Sequence, residues 1–322
     1  MFQTLVKALE ASIGYTINLQ ERIHWFYILT SILLAVYVYW RTQSRVPNDQ
    51  HSKGNTIKNF LAFLFKKEHY WSKTAFTDYA FLLFNGFFKV LFLSWVLLWV
   101  TRQQNNLNEW FLEHVGYKTI ELDIPVLLVI YPLFILIIGD FSYYLLHLLY
   151  HKIPFLWAFH KIHHSSTALN PITQFRIHPI ELVLNNMRYA LVLILLGGTF
   201  NYLAGGGVFY QKTFMGVNLV LFAFNTWGAN LRHSHIKLVY FNWLESWLIS
   251  PYQHQIHHSA QKHLHDKNLG SKLAIWDKMF GTLVKSKEVD DLIVGLGEED
   301  RHYNTFFKSL IRPFSRFFLR SK

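Results

Sequence analysis

The 322-residue chain contains no cysteine. That absence excludes a disulfide framework and any thiolate metal site, so a metal in this protein must be held by histidine or carboxylate. Charge is sparse too: 16% of residues are charged, against 52% hydrophobic and 18% aromatic. Length alone would permit two domains, but this balance points to a membrane protein. Carboxylates are missing from two stretches in particular: between 147 and 178 there is no Asp or Glu, and between 229 and 265 only Glu245. A di-metal bundle built on Glu and Glu-x-x-His ligands is thereby excluded as a template. The zinc-protease signature H-E-x-x-H and the nucleophile motif G-x-S-x-G are also missing. No cleavable signal peptide, internal repeat or low-complexity tract is expected.

Histidine is what the chain has instead. Eight of its 18 histidines form three clusters: His147 and His151; His160, His163 and His164; and His254, His257 and His258. Each helical residue turns about 100°, so positions i, i+3 and i+4 share one face and each cluster can aim its rings at one point. Eight imidazoles exceed the needs of one four-coordinate ion, which predicts two metals. A purely structural role suits the isolated His24, His69, His114 and His302. It does not suit three clusters, because buried imidazoles packed together lose hydration and repel once protonated.

Apolar runs near Trp25 to Trp40, Tyr79 to Val100, Ile124 to Leu146, Leu182 to Leu203 and Val208 to Trp227 approach the roughly 20 residues needed to span a bilayer. Four or five transmembrane helices are expected. The last two runs carry Arg188, Gln211 and Lys212 and are read as a hairpin that need not cross fully, turning in the glycine-rich stretch Gly197 to Gly207. Residues 41 to 77 carry Arg41, Arg45, Lys53, Lys58, Lys66, Lys67 and Lys73, whereas residues 101 to 123 carry only Arg102 and Lys118 among four acids. The first loop is therefore expected on the cytoplasmic side, and every histidine cluster follows it there. The fold class expected is all-α, with the site in a cytosolic helical cap. Residues 1–123 form an N-terminal transmembrane region with a basic loop, 124–290 a catalytic domain, and 291–322 a basic amphipathic tail.

Other residues complete the reading. Asp140 lies two turns before His147 on the same face, where it is expected to accept a ring N–H and fix a ligand's tautomer. Lys152-Ile-Pro154 should end the first ligand helix, and Pro251 should open the third. His178, His233 and His235 are further ligand candidates, while His263 and His265 should face solvent. Phe141, Tyr143, Tyr144, Phe222 and Phe224 are either cavity lining or core. The net charge of +11 suits anionic lipid headgroups, in a chain with no nucleic-acid module. Lys308, Arg312, Arg316 and Arg320 alternate with phenylalanines as in an interfacial helix. A polyhistidine pair of metals beside apolar helices fits redox chemistry on a lipid chain, and the residues alone leave iron and zinc both open. A metal transporter or sensor would need ionisable residues along the membrane depth, and the spans hold little beyond Asp140, Arg188 and Lys212. A zinc hydrolase would need a general base that the clusters lack.

Read with their surroundings, these motifs resemble the fatty acid hydroxylase and sterol desaturase superfamily of integral membrane di-iron oxygenases. Asp140-Phe-Ser-Tyr-Tyr-Leu-Leu-His147-Leu-Leu-Tyr-His151 is similar to its first box and Trp157-Ala-Phe-His160-Lys-Ile-His163-His164-Ser to its second. Arg176-Ile-His178-Pro-Ile-Glu181 resembles a short signature that follows. His254-Gln-Ile-His257-His258-Ser, with Asn268-Leu-Gly270 and Ile275-Trp276-Asp277-Lys-Met-Phe280-Gly281-Thr282, resembles the third box and the closing segment. The resemblance covers roughly residues 125 to 285. It implies two irons, O2, a separate electron-donor protein, and hydroxylation or desaturation of a sterol, fatty acyl, sphingolipid, ether lipid or carotenoid.

Overall fold

The computed structural model describes residue 14 and residues 16–44, 56–117, 124–205 and 219–318. Eleven α-helices of four residues or more lie among them: α1 (Trp25–Gln43), α2 (Thr56–Leu64), α3 (Lys67–Tyr70), α4 (Lys73–His114), α5 (Ile124–Lys152), α6 (Pro154–His164), α7 (Pro179–Leu203), α8 (Leu219–Thr226), α9 (Pro251–His257), α10 (Ile275–Phe280) and α11 (Phe306–Phe318). No strand occurs among the described residues, only the isolated bridges Leu248 to Leu273 and Ser259 to Val294.

Two helices are long and apolar enough to cross a membrane, Val129–Lys152 and Pro179–Leu203, and α4 adds a third if its two arms, Lys73–Val90 and Trp95–His114, count as one span despite a 48° bend. These spans mark a membrane protein. They cover the second, third and fourth apolar runs of the sequence. The first run coincides with α1, which is not among these spans, and the fifth lies partly in residues 206–218, outside the described residues along with Gln211 and Lys212. The stretch after Val100, expected as a loop, is helical to His114. There Gln104 reaches across to the Leu193 carbonyl of α7 at 2.8 Å, so packing against a neighbour extends the helix.

α7 packs along both α4 and α5. At its crossing with α4 a side chain on Gly198 would stand 2.9 Å from Leu107 and 3.0 Å from the Gln104 backbone oxygen. Only a residue without Cβ allows this approach, and close backbone approach is how helices associate in lipid. α5 runs antiparallel to α4 and α7, so that α4 starts, α5 ends and α7 starts at the same end of the bundle. Buried Arg176 ties that end together. It pairs with Asp78 of α4 at 3.0 Å and donates to Thr74 Oγ1 and to the Tyr303 carbonyl, both at 2.7 Å. Phe81, Ile162 and Tyr303 form a buried cluster at the same place.

The short ligand helices form on local signals. Ile153 is extended and Pro154 opens α6, where its missing N–H costs nothing. Ser250 caps α9 in a reciprocal box with Gln253, again with proline, Pro251, at the first position.

Candidate metal centre

Nine histidines converge at this end of the bundle in two adjoining groups. His147, His151, His160, His164 and His257 form one; His163, His233, His254 and His258 form the other; within each, one ring nitrogen per residue lies within 4.8 Å of all the others. α5 supplies two rings, α6 three, α9 with its C-cap three, and the turn Ala229–His233 one. All eight clustered histidines and His233 are thus brought together. The groups adjoin at His164 and His258, whose ring centroids are 4.7 Å apart.

Hydrogen bonds fix how the rings present themselves. His147 Nδ1 faces the Leu269 carbonyl at 2.6 Å and His257 Nδ1 the Lys267 carbonyl at 2.9 Å. A carbonyl only accepts, so Nδ1 of both rings carries the proton and Nε2 is a lone pair. His160 Nδ1 faces Glu181 Oε1 at 2.9 Å and His151 Nδ1 faces Asp266 Oδ1 at 3.1 Å, with the same consequence. The inner nitrogens then meet lone pair to lone pair: His147 Nε2 lies 3.0 Å from His160 Nε2, and His151 Nε2 and His257 Nε2 are buried without a partner. In the second group His233 Nε2 lies 3.2 Å from His163 Nε2 and 3.1 Å from His254 Nε2.

Protonation cannot relieve this crowding. Burial, the leading cause in each case, pushes His160, His164, His233, His254, His257 and His258 well below the usual imidazole range and brings His163 down to about 4, with neighbouring rings adding to the shift in most of them. Two sets of buried neutral nitrogen donors, the first with its lone pairs held inward, suit metal cations.

Asp140 plays a different part from the one expected. Its carboxylate accepts from Lys272 N at 3.0 Å, Leu273 N at 2.9 Å and Trp276 Nε1 at 3.2 Å, and it meets no imidazole. The shared helix face was correct, but the loop after the third cluster fills it first. Asp277 of α10 does similar work at the start of the same loop, accepting from Leu269 N at 2.7 Å and Gly270 N at 2.8 Å. A side chain on Gly270 would stand 2.6 Å from the Leu273 carbonyl oxygen, so glycine is required. Together these carboxylates hold the Leu269 carbonyl against His147.

His178 and His235 lie outside both groups. His178 caps α7, accepting from Ile180 N at 3.1 Å, and its other nitrogen meets the Leu310 carbonyl at 3.2 Å. His235 Nε2 meets the Phe63 carbonyl at 2.6 Å and its ring stacks on His69 at 4.4 Å. Both nitrogens of His178 are engaged; Nδ1 of His235 has no partner, but its ring lies between Phe63 and His69 and belongs to neither group. His263 and His265 are exposed, as expected. The sequence reading did not single out Glu181 and Asp266 as partners of the rings. Asp266 and Asn268 have positive φ, 58° and 52°, a conformation for which Asp and Asn are suited, and that turn was a legible signal.

A cavity of about 260 Å³ opens on His160, His163, His233 and His254, and a second of about 300 Å³ runs between α5 and α7 along Pro132, Ile135 and Leu136. Tyr143 and Ser271 line both. Of the other aromatics considered, Phe141 and Tyr144 pack on Trp276 and Phe280, and Phe222 stacks on Phe26.

Residues 132–282 match the model of the fatty acid hydroxylase family. Alkylglycerol monooxygenase of Xenopus tropicalis is 28% identical over 160 residues, 46% of this chain and 29% of that protein. Ornithine lipid hydroxylase OlsE of Rhizobium tropici is 27% identical over 56% of this chain and 49% of its own, and human cholesterol 25-hydroxylase 28% over 49% and 52%. The matched segment spans less than a third of the alkylglycerol monooxygenases. No solved structure matches. On the histidine boxes and these likenesses together, residues 132–282, somewhat under half of the chain, are similar to the fatty acid hydroxylase and sterol desaturase superfamily.

Proposed function

We propose that this chain is a membrane oxygenase that hydroxylates or desaturates a lipid, with residues 124–290 as the catalytic domain. One observation carries the reading: two buried groups of imidazole nitrogens border a cavity that shares Tyr143 and Ser271 with a second one between two membrane-spanning helices. His147, His151, His160, His164 and His257 would hold one iron and His163, His233, His254 and His258 the other. Bound iron, which unlike zinc changes oxidation state, would supply O2 activation and oxidation of a C–H bond, with electrons from a separate donor protein.

The chain's own residues prepare the site. Glu181, Asp266 and the Leu269 and Lys267 carbonyls hold the ring protons at Nδ1 and so keep Nε2 available. Burial keeps the rings neutral and water out. The lipid tail would lie along Ile135, Leu136, Val220 and Leu221, entering from the bilayer. The positive loop supports a multi-pass protein with the site on the cytoplasmic side. The basic C-terminal helix, with Phe307, Ile311 and Phe314 exposed, would rest on anionic headgroups.

The test is incubation of iron-loaded protein with 18O2, an electron donor and a lipid extract, read by mass spectrometry. The expected product gains one labelled oxygen or loses two hydrogens, and His147→Ala forms none. Turnover that persists in His147→Ala, or in zinc-loaded protein without O2, overturns the reading.

A further inference from the structure

Beside the histidines the cavity walls carry more positive charge than the protein balances. Three cations surround one ring: the guanidinium carbons of Arg22 and Arg232 lie 5.3 and 5.2 Å from the Phe224 centroid, and Lys272 Nζ 5.3 Å. A fourth, Arg188, stands 5.6 Å over Tyr143. Arg22 and Arg232 line the first cavity, Arg188 and Lys272 the second, and Tyr143 joins the two.

Carboxylates near these cations are already engaged. Glu21 pairs with Lys89 at 2.8 Å and Glu181 serves His160. Asp140 lies 3.8 Å from Lys272 Nζ, but its oxygens accept from two backbone N–H groups and an indole. Arg22, Arg188 and Arg232 form no ion pair among the described residues. Arg232 is 2% exposed; its Nη1 donates to the Ser271 carbonyl, while Nε and Nη2 are buried without a partner. Like charges gathered in a poorly hydrated site repel, and orphaned guanidinium donors are costly, unless an anion arrives. The crowding registers on Lys272, which burial first, and then Arg22, Arg232 and Arg188, bring down to about 8 against the pull of Asp140.

We propose that this pocket of Arg22, Arg232, Lys272 and Arg188 binds the anionic headgroup of the lipid substrate, a phosphate or a carboxylate. The proposal rests on the lipid-oxygenase reading and narrows its substrate class. Planar guanidinium forks match both oxyanions bidentately, and desolvation strengthens the pairing. Neutral lipids would leave the cluster uncompensated. Apolar residues of the second cavity then receive the first part of the tail.

Equilibrium binding to the full chain in neutral detergent, without metal, tests this. Four single-chain lipids of one acyl length are compared, with phosphate monoester, carboxylate, phosphocholine and neutral glycerol heads. One or both anionic lipids are expected to bind about tenfold tighter than the neutral one, the worth of a charge-assisted pair; which of the two binds tighter tells phosphate from carboxylate. Arg22→Gln and Lys272→Gln should each remove most of that preference, and Arg22→Lys should keep it. Variants are scored when they elute and melt as the parent does, and Lys272, 26% exposed, is the position least coupled to folding. Equal binding of all four lipids, or a preference untouched by both Gln variants, overturns the proposal. Inorganic phosphate binding as tightly as the phosphate-headed lipid overturns it as well, showing a free-anion site. Should the iron-loaded protein oxidise the neutral lipid equally well, the headgroup pocket falls and the oxygenase reading stands. If anionic lipids bind as expected yet no O2-dependent product forms, the pocket stands and the oxygenase reading falls.

Discussion

The two histidine groups touch, yet they are held differently. In the five-histidine group four rings are fixed from behind, by the Leu269 and Lys267 carbonyls, Asp266 and Glu181. In the four-histidine group Nδ1 of His254 and of His258 is buried with no protein partner, and three of its members, His163, His233 and His254, face the cavity. One group is anchored to the scaffold; the other is compliant and turned to the cavity. The anchored set orients its rings without help, whereas the compliant set leaves ring orientation to the ion itself.

The largest effect separates the two by ligand removal. His258→Ala leaves three rings in the compliant group and should abolish oxidation and lower the iron content from two per chain towards one, measured on purified protein. His164→Ala leaves four rings in the anchored group and should abolish oxidation while keeping more iron. Equal loss of iron in both would erase the distinction.

Next come the anchors. Glu181→Ala should weaken iron binding about 10- to 100-fold, the usual cost of losing the group that orients a ligand, and Glu181→Gln, which can still accept from His160, should recover part of it. Asp266→Asn should behave as the milder variant, its carboxylate being 35% exposed. Chelator competition measures all three; an unchanged affinity in Glu181→Ala would show that the ring is held by packing alone.

Acid should act on both groups before any ligand is mutated. Burial holds His163 near 4 and the other rings outside the spans below their ordinary value of 6.5. The unfolded chain therefore takes up protons first as pH falls through 6.5, and stability drops from there towards pH 4. Thermal melting of metal-free protein should be flat above about pH 7 and fall below it. A melting temperature that rises on acidification would contradict the buried neutral state.

The smallest effect belongs to His178. Asn caps helices well, so His178→Asn should change stability by less than about 1 kcal/mol and leave the iron content alone. Loss of iron in that variant would return His178 to the ligand set.

Much of the centre was legible in the sequence because helical spacing writes it down. The eight clustered histidines and His233 lie where their periodicity and position suggested. What escaped belongs to tertiary structure. A backbone carbonyl such as that of Leu269 leaves no trace in residue type. Asp140 sits on the predicted face, but periodicity does not say which loop will arrive there first. His178 and His235 carried the right chemistry in the wrong company, one capping α7 and one stacked on His69. In the fold, α4 outran its apolar segment because Gln104 finds a partner in α7.

The separation between rings and their anchors bears on how the protein is made. His151 and His147 are synthesised 115 and 122 residues before the Asp266 and Leu269 that fix their tautomers. While the chain is still on the ribosome those rings can offer either nitrogen to any ion. Only after residues 266–277 have docked is the donor set of one kind. If the proposed metals bind here, a nascent chain that traps an ion early would hold it before these ring tautomers are fixed.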